Sequence, residues 1–301
     1  MSFEPILLAP EQEVEEQYPY RRVWRTGWLE VGVLLAVVLL ILALTQVFGV
    51  LPAGLHDTRL KVAVALVPLG AWLVFSYWGE RRALQPRRGL VQTVILGALV
   101  ANGIAVPLEE HLFLPDRWLP MQSFFGRVLG YTTTVGFTAE FLKYAVVRYT
   151  VWPDRIRQRL DGVAYALAAS VGYAVVLNLR VALFTDDTLV ATALRVASNT
   201  FSQLGIGVIM GFFLAELVIG RTPVFWLPLG LGIASLLSGA YYGFRSLTIV
   251  RGISATGPIS APMRGLALAF VLIAVLYVTF AFLIESADAR MEALTGRRQA
   301  L

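Results

Sequence analysis

In this chain of 301 residues, 57% are hydrophobic and only 15% charged, with a mean hydropathy of +0.69; that is more apolar side chain than one aqueous core accommodates, which excludes an ordinary soluble domain. There is no cysteine, so disulfides and thiolate metal sites are excluded as well. The net charge of +5 calls for no nucleic-acid partner, because the basic residues sit where membrane topology places them.

Residues 1–27 form a polar tail with Pro5, Pro10 and Pro19 and an acidic block of Glu11, Glu13, Glu15 and Glu16, expected to be solvated at the inner surface. Eight apolar runs come after it, near 28–52, 60–78, 89–107, 124–149, 162–184, 189–218, 224–244 and 265–285. Each has about the 20 residues that a helix needs to cross a hydrocarbon core. None alternates as the strands of a membrane barrel do. The expected fold is therefore all-α, a polytopic integral membrane helical bundle of about eight transmembrane helices. It occupies 28–286, between a cytoplasmic tail at 1–27 and another at 287–301. The first run lacks a small-residue cleavage site around Leu51–Leu55 and reads as a retained signal-anchor.

Arginine placement gives the orientation. With the N-terminus inside, the inner segments hold Arg21, Arg22 and Arg25, then Arg81, Arg82, Arg87 and Arg88, then Arg155, Arg157 and Arg159, then Arg221, Arg290, Arg297 and Arg298. The outer segments hold fewer basic residues, which sets both termini on the cytoplasmic side. Two outer loops stand out. One, 108–122, carries Glu109, Glu110, His111 and Asp116 and reads as a solvated acidic loop; the other, 245–264, is rich in Gly, Ser and Pro. The spaced glycine pairs Gly126/Gly130, Gly207/Gly211 and Gly239/Gly243 are expected to let helices approach closely within the bundle.

The fourth run contains Glu140 and Lys143, three residues apart and so on one helix face, where a bilayer excludes charge at about 2.5–3.5 kcal/mol per residue. Lys143 is one of only two lysines in the chain. The fifth run opens with Asp161-Gly162 and continues through Gly172-Tyr173 to Leu177-Asn178. Glu140-x-x-Lys143, a short basic loop, Asp161-Gly162 and Gly172-Tyr173-x-x-x-Leu177-Asn178 together resemble the PrsW family of intramembrane proteases. That family looks related to the CAAX prenyl protease and bacteriocin-processing proteins. The resemblance covers about 125–245.

It also implies departures. Where the family's first motif has two adjacent glutamates, this chain has Ala139 and Glu140; where the second has an aromatic residue, a glutamate and an asparagine, it has Tyr173, Leu177 and Asn178. Asn199, Ser202 and Gln203 stand where a later helix of the family supplies histidine. Asn, Gln, Ser and Leu are not general bases, and neutral amides are weak zinc ligands. The remaining histidines, His56 and His111, are expected on the outer side. The reading is a degenerate site in which Glu140, Lys143, Asp161, Asn178, Asn199, Ser202 and Gln203 line a polar cavity, with no cofactor and zinc only if a partner supplies ligands. Arg127, Arg180 and Arg195 are expected to snorkel to the outer interface.

Three functions are compatible with this reading. The first is a non-catalytic relative of the proteases, acting as scaffold, assembly factor or substrate-binding subunit for another membrane protein or transmembrane segment. The second is an active intramembrane peptidase with Glu140 as base and Lys143 as its orienting partner. The third is a structural subunit of a larger membrane complex, or a transporter. The implied location is the bacterial inner membrane, with the lipid bilayer as surroundings.

Overall fold

The computed structural model of the protein describes residues 20–52, 54–81, 86–220, 222–250 and 260–299, and no strand occurs among them. Eight helices match the eight apolar runs in order. They are α1 (Tyr20–Leu42, extended by a π turn at Ala43–Val47), α2 (Thr58–Trp72, then a π turn at Leu73–Tyr77 and a last turn Trp78–Arg81) and α3 (Leu90–Val100, with wide turns at Ala101–Ala105 and Leu108–Phe113). Next come α4 (Phe124–Tyr131, a π turn at Thr132–Gly136, then Phe137–Thr150), α5 (Arg159–Phe184), α6 (Leu189–Ile219), α7 (Trp226–Val250) and α8 (Ser260–Gln299). The protein is a polytopic all-α membrane protein.

Seven of these helices carry stretches long and apolar enough to cross a membrane. The exception among the described residues is α4. It matches its neighbours in length, but Glu140, Lys143, Arg148 and three successive threonines lower its hydropathy. Threonine is tolerated there because each hydroxyl returns to the backbone: Thr132, Thr133 and Thr134 donate to the carbonyls of Val128, Leu129 and Gly130 at 2.7, 3.0 and 2.7 Å.

Polar caps set several helix starts. Asp57 accepts from the N–H groups of Arg59 and Leu60, Ser123 from Gly126 and Thr188 from Ala191. α6 is the central helix, buried over most of its length, and packs chiefly on α5 and α8; α3 also lies on α5, and α4 lies on α7. Three of these contacts require glycine, α3 on α5 among them, where a Cβ on Gly97 would stand 2.4 Å from the Ala169 carbonyl oxygen. A Cβ on Gly211 would stand 2.6 Å from the Gly162 carbonyl oxygen, and one on Gly136 would stand 2.6 Å from that of Ser235. Gly207 and Gly211 thus face α5 and Gly239 and Gly243 face α4, whereas Gly126 and Gly130 meet the segment before their own helix, at Gln122, Ser123, Trp118 and Leu119.

Two expected loops are shorter than the sequence suggests. α3 runs on to Phe113, where Leu114 at φ +47° ends it, so Glu109, Glu110 and His111 are helical. α7 continues to Val250, carrying Arg245 as a helix residue, and α8 begins at Ser260. The acidic block of the N-terminal tail and the middle of the 245–264 loop lie outside the described residues, and α8 extends to Gln299.

Candidate functional site

The approach of α4 to α7 at Gly136 fixes where the next turn of α4 points. The π turn at Thr132–Gly136 adds a residue to the helix and rotates the remainder of α4 by about 100°, a device common at functional sites. Glu140, one turn on, is 0% exposed and Lys143 2%. Lys143 Nζ donates to Glu140 Oε1 at 2.6 Å and to Gln203 Oε1 on α6 at 2.8 Å, and lies 5.8 Å from the Tyr173 ring centroid on α5. The Tyr242 side chain on α7 reaches Gln203. Three helices therefore meet at one ammonium, and α7 joins them through Gln203. Further along, the indole of Trp152 donates to the Leu214 carbonyl at 3.2 Å and tethers the end of α4 to α6.

A second polar group sits above the first on α5, α6 and α7. Asn178 Nδ2 donates to Thr200 Oγ1 at 3.1 Å, Asn199 Nδ2 to Asn178 Oδ1 at 3.5 Å, and Arg245 Nη1 to Asn199 Oδ1 at 2.8 Å. Asn199 and Gln203, four apart on α6, link the two groups along one face. Ser202 does not join them: its hydroxyl returns to the Asn199 carbonyl at 2.9 Å.

Asp161 is a correction to the predicted cavity. It stands at the first turn of α5, about 25 Å along the helix from Asn178. There Oδ2 accepts from the N–H groups of Arg157 and Gln158 at 2.8 and 2.9 Å, and Oδ1 from Arg87 Nε at 2.6 Å. Arg87 also grips Glu80 at 2.6 Å. Burial alone would lower the Arg87 pKa, but Asp161 and Glu80 together outweigh it and hold the guanidinium above its ordinary value. The Asp-Gly pair is thus a helix-start device: Asp161 completes a capping box with Gln158, and Gly162 admits α6. Beside it Arg159 Nε meets Glu216 at 2.6 Å.

The predicted outer arginines have partners of their own. Arg180 pairs with Glu110 and Arg195 with Asp187, while Arg127 donates to the carbonyls of Gln122 and Pro120. His56 lies near Asp186 at 3.5 Å, and His111 is exposed.

Several site residues are not evident from the sequence. Glu109, expected in a solvated loop, has its Oε1 buried, and the Tyr173 hydroxyl lies among Glu109, Tyr242 and Glu140. Glu140 Oε2, Tyr173 Oη, Ser235 Oγ and Ser238 Oγ are all buried without a hydrogen-bond partner among the described residues. Such atoms call for water. The available signal was the absence of Gly or Pro between Leu108 and Leu114, and again from Arg245 to Val250, which lets each helix run on.

Ala139 and Leu177 pack together with Ala101, Ala105, Leu142 and Tyr173 in one small apolar cluster beside Glu140. Among the described residues no three of His, Cys, Asp and Glu gather as metal ligands. The donor set at Glu140 does not fit a divalent metal: one carboxylate oxygen and the Gln203 amide oxygen both face an ammonium, whose charge repels a second cation.

A model described as PrsW family intramembrane metalloprotease matches residues 85–277, more than half of the chain and wider than the span of motifs read from the sequence. No curated protein and no solved structure matches it.

Proposed function

The chain belongs to the PrsW family of intramembrane metalloproteases, and from that membership we propose that it is a non-catalytic member. In this reading it is a scaffold, assembly factor or substrate-binding subunit that holds a transmembrane segment of another membrane protein without cutting it. The supporting observation is the fate of the acidic positions. Ala139 and Leu177, where the resemblance expects glutamates, share one apolar cluster, and the remaining Glu140 is tied to Lys143. Peptide hydrolysis needs an activated water and a group that polarises the scissile carbonyl. Asn178, Asn199 and Gln203 instead engage neighbouring side chains as a positioning network. A metal enters this reading only with ligands from a partner. In this reading both termini lie on the cytoplasmic side of a bacterial inner membrane, and the arginine excess supports it.

One observation favours the active alternative: Glu140 Oε2 is buried without a hydrogen-bond partner among the described residues, with Lys143 beside it as the orienting cation. A single experiment separates the two. The wild type and Glu140→Gln are extracted from native membranes in mild detergent, and the membrane proteins recovered at near-equal stoichiometry are identified and sized. The scaffold reading expects the same full-length partner with both proteins. Fragments with the wild type that vanish in Glu140→Gln, with the full-length partner accumulating, would establish the peptidase.

A further inference from the structure

Away from Glu140, a partly open cavity of about 50 Å³ is lined by the early turns of α1, the end of α2, Arg87 and Leu90 at the start of α3, and parts of α5 and α8. One water needs roughly 10–15 Å³ of such space, so the cavity holds about four water-sized groups. Glu30 faces it, 6% exposed, and accepts a hydrogen bond from Ser76. Aromatic rings make the walls: Trp24 meets Tyr277 edge-on at 5.3 Å, and Trp72 stacks on Tyr77 at 5.9 Å. Trp72 and Tyr277 are themselves only 3% and 2% exposed. Gly27 leaves the Tyr277 ring in place, since a Cβ there would stand 3.0 Å from it.

Among the described residues the charges around the cavity do not balance. Arg87 reaches the rim but is shared between Glu80 and Asp161, so carboxylates outnumber the guanidinium that serves them, and Glu30 has a hydroxyl as its partner. A buried carboxylate without a positive neighbour is costly as an anion and takes up a proton unless a cation binds beside it, and aromatic faces attract cations. Seven of the twelve lining residues precede residue 85, so most of the cavity lies outside the region that matches the family.

We infer that this cavity binds a small primary ammonium group of the size of ethanolammonium, with Glu30 as counter-ion and Trp24, Trp72 and Tyr277 as its aromatic enclosure. Its capacity of about four groups matches ethanolammonium and is too small for choline with its added methyls. The same ammonium is carried by a free amine and by the headgroup of an ethanolamine phospholipid.

The full chain in detergent is titrated calorimetrically with ethanolammonium chloride, choline chloride and neutral ethylene glycol. In parallel, native mass spectrometry from nanodiscs of mixed phosphatidylethanolamine and phosphatidylglycerol reads which lipid is retained. The expected result is saturable ethanolammonium binding, about tenfold tighter than choline and absent for the glycol, lost by about tenfold or more in Glu30→Gln. Retention of the ethanolamine lipid that depends on Glu30, without a response to the free amine, supports the same site with lipid as the source. Equal binding of choline or glycol, no response in either arm, or unchanged binding in a folded Glu30→Gln overturns the inference. Should that variant not fold, the selectivity of the wild type among the three probes and two lipids decides the question.

Discussion

At the start of α5, Asp161 accepts hydrogen bonds from two backbone N–H groups and from Arg87, which also grips Glu80. In the middle of α4, Glu140 has Lys143 as its partner and an oxygen with no hydrogen bond among the described residues. Both are carboxylate–cation contacts at 2.6 Å, yet the first sits at helix ends with its carboxylate oxygens satisfied and the second at the centre of a helix. The terminal group orders a loop between two helices and has an evident structural reason. The central pair places two charges where apolar side chains would pack at lower cost, and burial of ion pairs is weak support for stability. The difference is that folding alone accounts for the terminal group and leaves the central pair without an equivalent structural reason.

The largest expected effect comes from breaking the central pair on one side. Lys143→Met leaves Glu140 buried without a cation and should cost about 3–5 kcal/mol, whereas the double variant Glu140→Gln with Lys143→Met should recover much of that. Thermal unfolding in detergent across the double-mutant cycle measures the coupling. A single variant as stable as the wild type would mean that water or a partner already compensates Glu140. Next comes Ala139→Glu, which restores an acid in a fully buried apolar cluster. It should cost about 2.5–3.5 kcal/mol. A much smaller loss would show that the cluster still has room for a hydrated carboxylate and would favour the peptidase reading.

The sequence made the bundle legible because apolar run length is dictated by the bilayer, and all eight runs are helices in order. Glu140, Lys143 and Gln203 were legible for a related reason: charge and amide at membrane depth demand partners, and these three find one another. Asp161 was misplaced because a motif read along the chain carries no depth, and one of its carboxylate oxygens is taken by Arg87, more than seventy residues away in sequence. Arg245 and Glu109 were missed where helices outlast their apolar stretches. A polar residue after an apolar run reads as loop, although the helix continues until something breaks it.

At the helix ends, Asp161→Asn keeps the shape but removes the charge that meets Arg87 and the two N–H groups. Hydrogen bonds to charged groups contribute about 1.5–3 kcal/mol, so a loss in that range is expected, smaller than for Lys143→Met because Glu80 still pairs with Arg87. Thermal unfolding and the protease sensitivity of the loop between α4 and α5 measure it together. If the loss equals or exceeds that of Lys143→Met, the contrast between the two regions fails.

The smallest effect is expected at Asn199, and its size tests whether the upper polar group belongs with the pair below. Asn199→Ala removes hydrogen bonds to Asn178 and Arg245, both side-chain contacts between helices. Interhelical bonds of this kind contribute about 0.6 kcal/mol on average and up to roughly 1.7. If the two groups act as one network, combining Asn199→Ala with Gln203→Leu should be less costly than the two losses added, because the second change removes contacts already loosened. If they are separate, the losses add, and Gln203 then serves Lys143 alone.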